Sequence, residues 1–323
     1  MKTVSLFSGC GGLDLGFIKA GFNIIWANDF DKYAAQSYKH NIGEHIVEGN
    51  LTEIPVDAIP RHDVLIGGFP CQPFSMMGEQ EGFTDTRGTL FFNVEQVILH
   101  HKPKIVVLEN VRNLVNHDNG RTFRIIKEHL DAAGYDVFDK VLNSAHYGVP
   151  QTRNRIFIVC FRKDLKVNNF DFPNPLPLEK TMQDLLEKDV SDKYYLSHRI
   201  LPTIMASGTK TFKAIAKIDL PIARPLCATM AKMHRASQDN YVTQPSTLAE
   251  ESGKTPIRRL TPRECARLQG FPENPDYEII VSDSQAYKQF GNAVTVDVAY
   301  YLANTIYNKF SAKKDETHEL QYV

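Results

Sequence analysis

The sequence predicts an α/β protein: a doubly wound, mostly parallel sheet joined to a smaller, irregular second domain. Three observations carry that expectation. Through the first half, short apolar runs alternate with helical patterns of ten or more residues, the order that places helices on both faces of a parallel sheet. A glycine-rich turn, Ser8-Gly9-Cys10-Gly11-Gly12, follows the first apolar run directly. After Phe172 the periodicity weakens, with Pro173, Pro175 and Pro177 set close together.

Taken in order, residues 3–7 read as the first strand. Residues 13–20 follow as a helix, with Leu13 and Phe17 on one face. Residues 23–27 form the second strand. The helical segment DKYAAQSYKHN comes next, with Asp31 placed as its N-cap. Strands are expected at 64–67, 104–108, 135–142 and 155–160, and helices at 89–101 and 120–133. A helical pattern returns at 296–310 through Val298, Leu302 and Ile306, and is expected to pack back on the first domain. The polar tail from Ser311 is expected to fray. The boundaries read as 1–173 for the sheet domain, 174–284 for the irregular domain and 285–323 for the returning segment.

Composition narrows the function classes. With 42% hydrophobic and 23% charged residues the chain is an ordinary globular protein. No apolar stretch suits a signal peptide or a membrane span, so a cytoplasmic protein is expected. The five cysteines show no paired spacing, which argues against a disulfide framework or structural zinc; Cys10, Cys160, Cys227 and Cys265 read as reduced core residues. The histidines show no metal-ligand spacing either, and no metal is expected. A net charge of −1 argues against an indiscriminate nucleic-acid binder, yet residues 197–267 carry twelve Lys/Arg against five Asp/Glu. That imbalance suits one face for a polyanion, with a solvated loop region as the plainer alternative.

In an open parallel sheet, ligands bind beyond the carboxyl ends of the strands. Four features fall at such ends: the glycine turn after the first strand, Asp29 after the second, Gly68-Phe69-Pro70-Cys71-Gln72 after the 64–67 strand, and Glu109-Asn110 after the next. Each alone is ambiguous. A glycine turn followed by an acid suits any nucleoside cofactor, NAD included, or a plain structural turn. A cysteine after proline is more often structural than nucleophilic. A carboxylate at a buried strand end must offset its desolvation, which points to function.

The ordered blocks FSGCGGLDLGF (7–17), GGFPCQPFS (67–75), ENV (109–111), QTRNR (151–155), RRLTPRECARLQGFP (258–272) and GNAV (291–294) resemble those of the cytosine-carbon-5 DNA methyltransferases of the bacterial restriction-modification type. The resemblance covers nearly the whole chain outside the variable second domain. It implies a Rossmann-like methyltransferase fold using S-adenosylmethionine, released as S-adenosylhomocysteine, with the second domain recognising the target. By position, Phe7, Gly9, Gly11 and Leu13 resemble the methionine-binding loop, Asp29 the acid that bonds the ribose hydroxyls, and Phe30 the ring that stacks on adenine. Pro70, Leu90, Asn292 and Val294 would complete that pocket. Asn50 stands where the family usually has an acid for the adenine amino group; its amide oxygen can still accept.

The resemblance also implies Cys71 as the nucleophile, Glu109 as the acid at ring nitrogen 3, and Arg153 and Arg155 as flanking arginines, with Arg155 restraining Glu109. The residues alone leave the two arginines open to a plainer reading, a salt-bridged strand start. A thiol of ordinary pKa, about 8.5, is only a few per cent thiolate at neutral pH, so its surroundings must favour the anion. Both faces of the cytosine ring are needed, so the base must leave the stack. The segment 76–88 is suited to closing over it. Ser75, Gln80, Arg87, Gln151, Thr229, Lys232, Arg235 and Arg258 are the expected DNA contacts. The expected partner is double-stranded DNA, bound by a monomer, and a separately acting restriction endonuclease is compatible. The alternatives are a transfer-RNA methyltransferase sharing these motifs, or a non-catalytic DNA-binding relic. The target sequence is not legible.

Overall fold

The computed structural model describes residues 1–70, 90–206, 215–232, 234 and 236–319, with side chains through Phe310. The chain divides into two compact units. The first comprises Met1–Leu142, Asn154–Asn174 and Val298–Val323; the second comprises Asn143–Arg153 and Pro175–Asp297.

The first unit is built on strands β1 (Lys2–Leu6), β2 (Asn23–Asp29), β3 (Ile46–Glu48), β4 (Val64–Gly67), β5 (Ile105–Val111), β6 (Tyr135–Asn143) and β7 (Asn154–Arg162). Among the described residues they form one seven-stranded sheet in the order β3-β2-β1-β4-β5-β7-β6. The pairs β1–β2, β1–β4, β4–β5 and β2–β3 are parallel, whereas β5–β7 is antiparallel. The strand order reverses between β1 and β4, and that reversal opens a crevice at the strands' carboxyl ends. Register keeps those ends level: Leu6 lies opposite both Asn28 and Gly67, and Gly67 opposite Leu108.

Helices α1 (Gly12–Lys19), α2 (Lys32–Asn41), α3 (Leu90–His101) and α4 (Arg121–Ala132) cover the sheet. Alternation along β1 shows how. Val4 and Leu6 point to one face and join Leu65, Val106, Leu108, Ile156 and Ile158 against Val97 and Ile98 of α3 and Ile126 and Leu130 of α4. Thr3 and Ser5 point to the other face and are fully buried, with Ser5 Oγ donating to Asp14 of α1 at 2.9 Å. Each fully buried Leu, Ile or Val contributes about 1.5–3 kcal/mol. Asp31 caps α2 by accepting from the backbone N–H groups of Tyr33 and Ala34. A C-terminal helix, Val296–Glu319, returns to this unit, where Tyr307 meets Phe22 edge-on at 5.9 Å and Phe22 in turn meets Phe17 at 4.9 Å.

The second unit is irregular. Its sheet has three short antiparallel strands, β8 (Tyr195–Ser197), β9 (Tyr241–Thr243) and β10 (Lys254–Arg259), in the order β8-β10-β9. Helices α5 (Leu201–Met205), α6 (Thr247–Glu251), α7 (Pro262–Arg267) and α8 (Asp283–Asn292) are short. Thr261 caps α7 in a reciprocal capping box with Glu264. The unit's membership differs from the boundaries read in the sequence. Residues 143–153 join it because Ser144 bonds Thr295, and Gln151 bonds Leu268 and Leu226, partners 75 to 151 positions away. Segment 285–297 belongs with it too, so the chain re-enters the first unit at Val298.

Among the described residues, no helix is long and apolar enough to cross a membrane, and no cluster of His, Cys, Asp or Glu could hold a metal ion. Cys10, Cys160 and Cys265 are buried thiols, and Cys227 is a half-buried thiol.

Candidate active site

At the crevice end of the first unit, β1 runs into a strained turn. Phe7 adopts φ +55°, rare for a residue with a side chain, and Gly9 and Gly11 follow at +56° and +95°. Backbone strain held by its surroundings marks a position shaped for a ligand or for chemistry. The two glycines serve different ends. A Cβ on Gly9 would meet nothing within 4 Å, so that turn faces open space. A Cβ on Gly11 would fall on Ile42, so Gly11 lets the end of α2 approach. Leu13 buries its side chain in the core.

Asp29, at the end of β2, is held by its own loop. Gly9 N–H donates to its Oδ2 at 2.7 Å, and Asp31 N–H to its Oδ1 at 2.8 Å. The neighbouring Phe30 ring is 70% exposed, an unusual cost for a large aromatic at a strand end. One strand further, Asn28 Nδ2 donates to both Val47 and Gly49 carbonyls at 2.9 Å, fixing the approach to Asn50. Asn50 is exposed and accepts from Thr52 N–H at 3.2 Å, capping a short 3-10 turn while its oxygen keeps a second lone pair.

Glu109 and Arg155 meet through register. On the antiparallel pair, Glu109 faces Phe157 and Val111 faces Arg155, so the glutamate and arginine lie diagonally on one face. Arg155 Nε stands 3.0 Å from Glu109 Oε1, with side chains only 19% and 10% exposed. Arg155 also donates from NH1 to the Asn154 carbonyl at 2.9 Å. Such a pair, largely but not fully buried, can hold a carboxyl group in a fixed orientation.

Asn110, the next residue, stands in the sequence only as part of the strand end, with no role of its own. It is buried and donates through Nδ2 to the Phe69 carbonyl at 2.8 Å, two residues before Cys71. The asparagine of ENV was the only available signal. Pro70 is exposed and Leu90 half-buried at the start of α3. Cys71, Ser75, Gln80, Arg87 and Arg235 lie outside the described residues.

Three assignments change. Arg153 is fully buried within the second unit, where it donates to the carbonyls of Leu226 (2.8 Å), Gly291 (3.1 Å) and Ala293 (2.8 Å). It clamps the GNAV segment and is not a group free to meet substrate. Within that segment Asn292 is exposed and Val294 buried, and a Cβ on Gly291 would collide with the 227–228 backbone. Gln151 is fully buried, donating to Leu268 O and accepting from Leu226 N–H, so it braces the unit and cannot reach DNA. Arg258 is also fully buried, with both guanidinium NH2 groups on Glu264 at 2.8 and 2.5 Å and Nε on Gln244 at 2.6 Å. It is a strut, not a phosphate contact. Lys232 is exposed, and Thr229 is half-buried with its hydroxyl on Gln238 at 3.1 Å.

The family model for the C-5 cytosine-specific DNA methylases matches residues 1–308. The chain belongs to this family. Among the methylase's curated relatives, the type II methyltransferase M.HhaI of Haemophilus parahaemolyticus is 37% identical over 328 residues, covering 97% of this chain and 96% of its own. The type II methyltransferase M.NlaX of Neisseria lactamica is 40% identical over 317 residues, covering 97% and 98%. Solved structures of a Spodoptera frugiperda DNMT2 mutant and of S. pombe Dnmt2 superpose with TM-scores of 0.76. They cover 95% and 96% of this chain and 99% of their own, at 20% and 19% identity, a likeness that establishes the fold. The methylase is therefore a cytosine carbon-5 methyltransferase on an α/β methyltransferase fold, with type II methyltransferases among its relatives.

Proposed function

We propose that the methylase transfers a methyl group from S-adenosylmethionine to carbon 5 of a cytosine extruded from duplex DNA, through a transient bond to Cys71. The observation that carries this reading is the Glu109–Arg155 pair at the end of β5, on the same sheet edge as the glycine turn and the strand leading to Cys71. The residues of that edge fit the cofactor. Phe30 offers an uncovered ring for adenine, Asp29 an oriented carboxylate for ribose hydroxyls, and the Gly9 turn open space beside its backbone. Asn292 and Val294 lie on the segment that Arg153 clamps in the second unit.

When bound, S-adenosylmethionine supplies an electrophilic methyl group. The Cys71 thiolate adds to carbon 6 of the ring, and Glu109, oriented by Arg155, donates to ring nitrogen 3 as electron density moves toward it. Carbon 5 becomes nucleophilic and takes the methyl group. A water then removes the carbon 5 proton as the sulfur–carbon bond breaks and ring nitrogen 3 returns its proton to Glu109, regenerating the thiolate and the acid. The base must leave the helix for this to occur, at a cost of a few kcal/mol. Ser75, Arg87, Lys232 and Arg235 would contact phosphates, Gln80 would fill the vacated stack, and Thr229 would lie in the recognition segment. The protein would act as a monomer on DNA in the cytoplasm.

The test measures transfer of labelled methyl groups to duplex DNA and to transfer RNA, and trapping by duplex DNA that contains 5-fluorocytosine. Methylated DNA and a denaturation-resistant complex, lost in Cys71→Ser, are expected. Labelling of transfer RNA alone would move the enzyme to that substrate. An active enzyme that forms no trapped complex would refute the covalent step.

A further inference from the structure

Beneath the glycine turn lies a buried polar chain that the reaction does not use. Ser8 Oγ donates to Ser5 Oγ at 2.9 Å, and Ser5 Oγ to Asp14 Oδ2 at 2.9 Å. Tyr38 O–H donates to Asp14 Oδ1 at 2.8 Å, and His45 Nε2 lies 3.1 Å from the same Tyr38 oxygen. The chain ties together four pieces of the fold: β1 and its turn, α1, α2, and the entry to β3. Ser8 N–H also bonds the Asn28 carbonyl at 2.9 Å, so the turn is anchored to β2 as well.

Asp14 is the centre of this chain and has no solvent exposure. Burial pushes its carboxyl up to about 6; the Tyr38, Ser5 and own-backbone hydrogen bonds pull it down, and the charge of Asp29 pushes it further up. The groups facing it are thus the Ser5 hydroxyl of β1, the Tyr38 hydroxyl of α2 with His45 behind it, and the Asp29 carboxylate at the end of β2. A leucine or alanine would fill such a site without desolvating a charge. The acid instead organises two hydroxyls, and through them the strained Phe7–Gly9 backbone, whose Gly9 N–H orients Asp29.

We infer that Asp14 is a positioning residue for the cofactor site: through Ser5, Ser8 and Tyr38 it holds the turn after β1 in the shape that receives the nucleoside. This rests on the reading of that turn as the cofactor site. A carboxylate accepts from both hydroxyls at once, whereas a neutral acid must donate through one oxygen, so one link is lost on protonation.

Calorimetric binding of S-adenosylhomocysteine to the full-length protein tests this, between pH 5.5 and 8, alongside thermal unfolding. Wild type is expected to bind more weakly as pH falls through about 6. Asp14→Asn is expected to lose about tenfold in affinity at pH 7.5, the loss expected for one charge-assisted hydrogen bond, and to show a flatter pH profile. Tyr38→Phe removes one donor and should show a smaller loss, which keeps the test informative should Asp14→Asn fold poorly. Folded variants that bind as wild type does, with the same pH profile, would overturn the inference and leave Asp14 a core residue. Absence of binding by wild type at every pH would instead overturn the cofactor reading and the inference with it.

Discussion

Two arginine–glutamate pairs, one in each unit, look alike in sequence and differ in what surrounds them. At the end of β5, Arg155 touches Glu109 through one close ion-pair contact and both side chains keep some exposure. In the second unit, Arg258 and Glu264 are joined by two parallel bonds, and both side chains make further hydrogen bonds. Glu264 accepts from Glu187 N–H and Thr261 N–H, and Arg258 reaches Gln244 and the Arg259 carbonyl. A saturated, dry pair has no vacancy for a ligand. It fixes the loops that meet there, and removing one partner strands the other as an uncompensated charge. The Glu109–Arg155 pair is the one that keeps some exposure, and it is where the proposed chemistry is placed.

That contrast can be broken by substitution. Glu109→Gln should leave unfolding nearly unchanged and lower turnover by about 100- to 10,000-fold, the usual contribution of a positioned acid; a stability loss as large as the activity loss would make this pair a strut too. Arg258→Ala should do the reverse, costing about 3–5 kcal/mol in denaturant unfolding because Glu264 is left a buried charge without its cation. If its main effect were a weaker salt dependence of DNA binding, the side chain would be a phosphate contact after all.

Asp14 sharpens the rule, since this buried acid is met by hydroxyls where Glu264 is met by a guanidinium. Its folded value of about 6 lies above the ordinary 3.8, so its proton favours the folded state. The stability it contributes is full below pH 3.8 and is lost as pH rises through about 6. At about 1.4 kcal/mol per pH unit, wild type should lose up to about 3 kcal/mol relative to Asp14→Asn between pH 3.8 and 7. A constant difference across that range would show the acid to be solvated. The smallest effect is expected at Gly291, where Gly291→Ala must push back the 227–228 backbone and should cost about 1–3 kcal/mol.

Much of the fold was legible because its signals are local. Apolar runs ended at the glycine turn, Asp29, Gly67 and Glu109, and the parallel register set those ends level. The antiparallel β7 was not legible, since a strand's direction depends on where the chain crosses and not on its own residues. Buried polar side chains were not legible for a related reason. Arg153, Gln151 and Arg258 are polar in sequence, yet their partners lie across 6 to 140 positions, and burial by distant segments leaves no local mark. One clue was available: Thr261-Pro262-Arg263-Glu264 has the spacing of a capping box, which predicts a committed Glu264. The buried role of Asn110 had no such clue, because its partner is a backbone carbonyl 41 residues away.

That asparagine couples two things usually treated as separate. Glu109 and Asn110 are consecutive, and Asn110 grips the backbone that enters Cys71. Glu109 and the Phe69 backbone therefore share one anchorage at the tip of β5. A displacement of that tip would carry both in concert, preserving their spacing where independent loops would let it drift.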